Sequence, residues 1–85
     1  MKIFFSTVFQ KNLNKLPSKI QKQFEARIEL FQKIPPSPML KIHPLKGNLA
    51  GLRAFSVTGD YRVIYRIIGL ESVELVDIGK HNQVY

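Results

Sequence analysis

Cysteine is absent from this 85-residue chain, and histidine occurs only twice, at His43 and His81. Without cysteine the chain can form no disulfide and offers no thiolate nucleophile. Two histidines without cysteine are too few for the usual structural zinc site, and we expect neither a metal nor another cofactor. The lack of disulfides is compatible with a reducing compartment, and we expect a cytoplasmic protein.

Long apolar runs are missing as well. No segment approaches the roughly 20 apolar residues that a membrane span requires, so we expect no membrane contact. The apolar run from Ile3 to Phe9 is interrupted by Ser6 and Thr7 and lacks a small-residue cleavage site. We therefore expect no signal peptide.

Acidic residues are scarce. The chain has 13 lysine and arginine residues against six aspartate and glutamate residues, which gives a formal net charge of +7. Such an excess favours a polyanionic partner, either a nucleic acid or an acidic protein. The length allows one domain, predicted over residues 1–85, and the apolar content of 45% is typical of a folded chain. A domain this small is marginally stable, so a partner that binds its folded state can stabilise it.

The first half of the chain shows one strand pattern followed by two helix patterns. Lys2 to Ser6 is predicted to form a strand, and Thr7 with Gln10 matches a capping box that opens the first helix. Ser18 with Gln21 repeats that pattern at the start of the second helix. The second helix carries an apolar stripe formed by Ile20, Phe24, Ile28 and Phe31. Prolines over residues 35–38 end it.

The second half shows three strand patterns. The runs LRAFSV and YRVIYRII are separated by Thr58-Gly59-Asp60, which predicts a β-hairpin, and a last strand is predicted from Ser72 to Ile78. The order of strand, two helices and three strands predicts an α+β fold. We expect a two-helix hairpin on one face of a small, mainly antiparallel sheet, with the first strand beside one of the later three.

Strand alternation divides the YRVIYRII run between two faces. Arg62, Ile64, Arg66 and Ile68 share one face, and Tyr61, Val63, Tyr65 and Ile67 share the other. Two arginines on one face are costly to bury without partners. We therefore predict that the face with Arg62 and Arg66 is turned to solvent or to a ligand, away from the helices.

Basic residues are concentrated in and before this hairpin. The stretch 41–66 contains a single acid, Asp60, together with five basic residues: Lys41, Lys46, Arg53, Arg62 and Arg66. A basic hairpin that follows a His-Pro loop favours a ligand carrying phosphate groups.

Three segments, HPLKGNLAGLRAF, GDYRVIYRI and VDIGKHNQVY, are similar to the corresponding segments of bacterial type II toxins of the RelE/ParE superfamily. The resemblance covers nearly the whole chain and is nearest to the YafQ and RelE branches, which are ribosome-dependent mRNA endonucleases. Other branches poison DNA gyrase instead. The resemblance implies a cognate acidic antitoxin, an oligomer formed with that antitoxin, and mRNA in the ribosomal A site as substrate.

The resemblance also implies a set of site residues. His43, Asp60 and His81 match catalytic residues of the YafQ branch, Arg62 matches an arginine central to the RelE branch, and Tyr85 takes the position of a C-terminal aromatic residue. Tyr61 stands where the YafQ branch has a tryptophan, and Ser56 stands where it has another histidine. Serine cannot relay a proton near neutral pH as imidazole can, which shifts the expected mechanism toward the Arg- and Lys-based mode of RelE.

The residue types suit RNA cleavage on chemical grounds. The 2′-hydroxyl must lose a proton and attack the adjacent phosphate, while the leaving 5′-oxygen gains one, and histidine serves either transfer. Arg62 and Lys46 can hold the phosphate as its charge builds, with Arg53, Arg66 and Lys80 as further phosphate-binding candidates. Tyr61 and Tyr85 can stack on splayed bases.

Each assignment has a structural alternative. His43 can serve as a loop hydrogen-bonding residue, Asp60 as an ordinary turn residue and Tyr85 as a frayed end, while Lys46 can belong to a solvated loop. Two other functions also remain open at this point. One is a gyrase inhibitor without catalysis, and the other is a toxin fold that has lost activity, for which Ser56 is the argument.

Overall fold

Two helices cover one face of a five-stranded mixed sheet in the computed structural model, which describes residues 1–84. The elements are β1 (Lys2–Phe5), α1 (Thr7–Lys15), α2 (Ser18–Phe31), β2 (His43–Pro44), β3 (Arg53–Ser56), β4 (Tyr61–Gly69), β5 (Ser72–Lys80) and α3 (His81–Val84), with 3-10 turns at Pro38–Leu40 and Gly47–Leu49. The α+β architecture is confirmed. None of the helices in this part of the chain is long and apolar enough to cross a membrane.

The strands lie in the order β1-β5-β4-β3-β2, so β1 and β2 form the two edges of the sheet. Strand β1 runs parallel to β5, with Ile3 opposite Val73, and the other pairs are antiparallel. The return of the first strand to a later one is confirmed. The strand β2 was predicted as a loop, because a two-residue strand that contains Pro44 is too short to show an alternating pattern.

The cap of α1 is Ser6, and the prediction of Thr7 was wrong by one residue. The Ser6 Oγ accepts a hydrogen bond from the Phe9 N–H at 2.9 Å and donates one to the Val76 carbonyl at 2.7 Å. The Gln10 side chain donates to the Phe5 carbonyl at 3.0 Å and does not close a capping box. Ser6 therefore ties the start of α1 to β5.

The predicted capping box of α2 is also absent. Pro17 occupies the cap position, where no side-chain hydrogen bond is formed, and Gln21 donates instead to the Leu16 carbonyl at 3.0 Å. The predicted apolar stripe of α2 is confirmed, since Phe24 and Phe31 are buried and Ile20 and Ile28 pack against the core. The α2 stripe is thus a reliable guide to the side of the helix that faces the sheet.

The core lies between the helices and the sheet. Its sheet side is formed by Phe55, Val57, Val63, Tyr65, Val73, Leu75 and Ile78. Phe31 of α2 stacks on Phe55 and meets the edge of Tyr65, with ring centroids 4.9 Å apart in both pairs. Because Val63 and Tyr65 face this core, strand alternation directs Arg62 and Arg66 to the opposite side of the sheet, as predicted. We call that side the open face.

Candidate functional site

One end of the sheet brings the β3–β4 turn together with the end of β5. Tyr61 pairs with Lys80 in the strand register, and the His81 backbone N–H donates to the Asp60 carbonyl at 2.9 Å. Asp60, Lys80, His81 and Asn82 line a shallow cavity of about 330 Å³, which we call the turn-end site. Asp60 is therefore a neighbour of Lys80 and His81, which lie about 20 positions further along the sequence.

The turn itself is held by the hydroxyl group of Thr58. Its Oγ1 accepts hydrogen bonds from the backbone N–H groups of Asp60 and Tyr61, each at 3.2 Å. This is the local arrangement that serine and threonine favour in turns. It leaves Asp60 exposed at the turn-end site. Asp60 is thus a turn residue and also a member of the cavity, so the structural and functional interpretations are compatible.

Arg62 contacts its own hairpin turn. The side chain is half-buried, and its Nη1 donates to the carbonyls of Thr58 at 2.9 Å, Gly59 at 3.0 Å and Tyr61 at 3.2 Å. The expectation of a guanidinium simply turned to solvent or ligand is therefore wrong for this nitrogen. The Tyr61 carbonyl also accepts the Val57 N–H at 2.9 Å, and a charged donor suits turn carbonyls such as those of Thr58 and Gly59.

His43 lies away from the turn-end site, on the edge strand β2. Its Nδ1 lies 2.9 Å from the Lys41 carbonyl, and because a carbonyl oxygen only accepts, Nδ1 is the donor. A neutral ring then has its lone pair on Nε2. His43 pairs with Ala54, two strands away from β4 and two residues along from the Arg62 level. Strand spacing therefore puts its Cα about 12 Å from that of Arg62.

Ser56 lies between His43 and Arg62 on the open face. It is opposite Arg62 in the register of β3 and β4, and it is a buried polar residue with 7% of its surface exposed. Ile64 on the same face is also buried, at 3% exposure. The middle of the open face is consequently less accessible than alternation alone predicts.

Two predicted RNA contacts belong to the helix side of the sheet. Tyr61 packs against the core, and Arg53 shares the face of Phe55 by alternation and lies opposite Tyr65 in the register of β3 and β4. Burial raises the pKa of Tyr65, and the Arg53 guanidinium partly opposes that rise. Arg53 and Tyr61 therefore do not share a surface with Arg62.

Two other predicted phosphate contacts lie apart from the turn-end site. Arg66 forms an exposed ion pair with Glu74 across β4 and β5, with Nη2 and Oε1 2.8 Å apart. Lys46 is exposed in the loop between β2 and β3, just before a 3-10 turn. The predicted catalytic residue Tyr85 lies outside the described residues. The predicted residues thus form one cluster, at Asp60, Lys80 and His81, rather than one continuous surface.

Two further polar residues contribute that the sequence analysis did not single out. Asn82 completes the turn-end site. The signal that could have identified it is its position directly after His81 in a polar tail. Asn12 of α1 donates to the Asp77 carboxylate at 2.6 Å, beside a second cavity of about 390 Å³ between α1, β5 and α3. That contact joins residues 65 positions apart, so no local pattern predicts it. Across residues 1–84, no group of three His, Asp or Glu side chains is placed to hold a metal ion.

The family model described as the ParE toxin of the type II toxin-antitoxin system, parDE, matches residues 3–85. A search of the curated proteins found no match.

Solved toxin structures match over nearly the full length. YafQ from E. coli strain BL21(DE3) is 19% identical with a TM-score of 0.83, covering 99% of this chain and 97% of that one. The E. coli DinJ-YafQ toxin-antitoxin complex gives 20% identity and a TM-score of 0.80, covering 99% and 96%. A YoeB/ParE toxin from Agrobacterium tumefaciens gives 21% identity and a TM-score of 0.79, covering 95% and 99%. At these identities the likeness establishes the fold.

Proposed function

Because the chain belongs to the ParE toxin family of type II toxin-antitoxin systems, within the RelE/ParE superfamily and close in fold to YafQ, we propose that it is an mRNA interferase. The proposed reaction is ribosome-dependent cleavage of mRNA in the A site by attack of a 2′-hydroxyl on the adjacent phosphate. The observation that carries this proposal is the turn-end site, where His81 is fixed beside Asp60 and Lys80. An inhibitor without catalysis has no need of an acid/base group there.

The proposed roles follow from the residue types. His81 exchanges a proton with the 2′-hydroxyl or the leaving 5′-oxygen, a contribution of about 10²–10⁴-fold in rate. The Lys80 ammonium stabilises the charge that develops on the phosphate, and the Asp60 carboxylate stabilises the cationic form of the neighbouring imidazole. His43 lies two strands away from β4, so we assign it to binding the mRNA chain beyond the cleaved bond rather than to proton transfer.

The proposed partner is a cognate acidic antitoxin that assembles with this chain and holds it inactive. The net charge of +7 supports an acidic partner. YafQ from E. coli, which has a similar fold, is also known in a DinJ-YafQ toxin-antitoxin complex. Co-purification at low and raised salt tests the partner, because an electrostatic complex weakens as salt increases.

Inhibition of DNA gyrase is the second candidate. The family model favours this function, since it is that of ParE toxins. A second argument is that some residues predicted to contact RNA instead make contacts within the protein. Arg66 is paired with Glu74, and Tyr61 packs against the core. The two functions differ in whether a side chain must exchange a proton.

Replacing His81 with glutamine separates the two functions. Glutamine keeps hydrogen-bonding capacity but cannot exchange a proton near neutral pH, so cleavage of a reporter mRNA should fall by about 10²–10⁴-fold. Antitoxin binding and the melting temperature should change little, because His81 is exposed and its bond to Asp60 uses the backbone N–H. Asn82→Ala is the matched control, since it alters the same cavity without removing a titrating group.

The measurement is primer extension on a reporter mRNA in a translation extract, run beside a gyrase supercoiling assay. Growth arrest and cleavage that fall together in His81→Gln support the enzyme. Wild-type toxicity with uncut mRNA and inhibited supercoiling would instead identify a gyrase poison. Full cleavage by His81→Gln would remove the acid/base role of this residue.

A further inference from the structure

The contacts of Arg62 converge on the segment that forms the turn-end site. Its Nη1 carries two protons and lies within 3.2 Å of three carbonyl oxygens, those of Thr58, Gly59 and Tyr61. All three acceptors belong to the four-residue stretch 58–61. The remaining carbonyl of that stretch, on Asp60, accepts the His81 N–H at 2.9 Å.

The turn is therefore bonded from three directions. Arg62 holds its carbonyls from the open face, Thr58 Oγ1 holds the N–H groups of Asp60 and Tyr61 from within, and His81 is attached to its tip. A turn fixed in this way has little freedom to change the direction of the Asp60 carbonyl, because that movement would break several charge-assisted bonds together.

Arg66 shows that this arrangement is specific to one arginine. It lies on the same strand and the same face, one alternation period beyond Ile64. Its guanidinium pairs with the Glu74 carboxylate, and its side chain is 55% exposed. Arg62 is half-buried, and each hydrogen bond described for its side chain goes to a backbone carbonyl. The two side chains thus provide a matched pair for an experiment.

We propose that Arg62 is a positioning residue, which locks the 58–61 turn and thereby holds Asp60 against His81. Its Nη1 serves the turn and is not the group that binds the reacting phosphate. The consequence for RNA cleavage rests on the proposed function, whereas the locking of the turn can be measured without any RNA.

Amide hydrogen exchange, measured on the 85-residue chain, tests directly whether Arg62 fixes the turn. In Arg62→Ala the His81 amide should exchange at least about tenfold faster, because the turn that carries its acceptor loses its charged donor. In Arg66→Ala the same amide should exchange at the wild-type rate. Where Arg62→Ala does not fold, Arg62→Lys replaces it, since lysine keeps a charged donor without the guanidinium geometry and should give an intermediate rate. An unchanged His81 amide in the folded Arg62 variant would overturn the proposal.

A second substitution distinguishes positioning from a phosphate contact. A Cβ built on Gly59 meets nothing within 4 Å, and Gly59 is not among the residues with positive φ, so Gly59→Ala should stiffen the turn. Added to Arg62→Ala, it should slow His81 exchange and raise mRNA cleavage by about two- to fivefold, through the lower freedom of the unfolded turn. A lost phosphate ligand would not be restored by alanine in the turn.

The outcomes separate this proposal from the proposed function. Faster exchange of the His81 amide in Arg62→Ala supports the positioning role of Arg62. If the wild-type chain at the same time cleaves no mRNA, the endoribonuclease function is refuted. Lost cleavage in Arg62→Ala with wild-type exchange at His81, and no recovery by Gly59→Ala, makes Arg62 a direct phosphate ligand and refutes the positioning role.

Discussion

Replacing Ser6 with alanine tests the junction between β1, α1 and β5. The change removes the acceptor of the Phe9 N–H at 2.9 Å and the donor to the Val76 carbonyl at 2.7 Å. Loss of a helix cap costs about 1 kcal/mol. The part-buried Val76 carbonyl left without that donor adds about 1 kcal/mol. We therefore expect the free energy of unfolding to fall by about 2 kcal/mol.

The size of the domain converts that loss into a temperature. In a chain of 60–100 residues, 1 kcal/mol lowers the melting temperature by about 4–8 °C, so Ser6→Ala should lower it by about 8–16 °C. The matched control is Thr7→Ala, which removes the hydroxyl that the capping-box pattern had selected. Thr7 is exposed in the first turn of α1, and its replacement should change stability by less than about 0.5 kcal/mol.

Thermal and urea unfolding, followed by circular dichroism, measure both variants. The urea slope should stay constant, since neither variant changes the surface exposed on unfolding. If Thr7→Ala is as destabilising as Ser6→Ala, then the cap is Thr7 and the reasoning from the structure is wrong. A Ser6→Ala variant with wild-type stability would refute the coupling of α1 to β5 through this side chain.

Three further outcomes are expected. Burial raises the pKa of Tyr65 above its usual value of 10.0, so the neutral phenol stabilises the fold and the free energy of unfolding should decrease as pH rises above about 10. In Tyr65→Phe the free energy of unfolding, measured by urea titration, should decrease less steeply with pH over that range. An equal dependence on pH in the variant and the wild type would contradict this. Phe31→Ala should cost about 3–5 kcal/mol, because Phe31 is 3% exposed and stacks on Phe55; a loss below 1 kcal/mol by urea unfolding would contradict the packing. Arg66→Ala should change the melting temperature by no more than about 4 °C, since an exposed ion pair contributes little.

The order of the elements was predictable because each has a clear apolar period. The α2 stripe ending at Phe31 and the alternation around Val63 identify the two surfaces that pack together. The extent of β5 was not predictable, because the strand continues from the expected end at Ile78 through Gly79 to Lys80, where no apolar signal remains. Pairing of these residues with β4 satisfies backbone groups instead of burying side chains.

The candidate site was predictable as a set of residue types and much less as a geometry. The resemblance selected Asp60 and His81, and the extension of β5 brings them together. The direction of Arg62 was missed, since alternation determines the face of a side chain but not which backbone carbonyls its far end will reach. The position of His43 on an edge strand was not predicted either, because the pairing that places it on β2 involves two residues only.

The two edges of the sheet differ in how readily they can accept another strand. The edge at β2 is two residues long, and Pro44 has no N–H to offer. In β1 the bonds from Lys2 and Ser6 to β5 direct the N–H groups of Ile3 and Phe5 outward, beside the exposed side chain of Phe4. An edge of four residues with exposed apolar side chains can still accept another strand, whereas an edge that contains proline opposes it. The sheet can therefore be extended only at its β1 edge. In a concentrated solution the isolated chain should associate through β1, and association should stop at dimers because the β2 edge of each copy cannot pair.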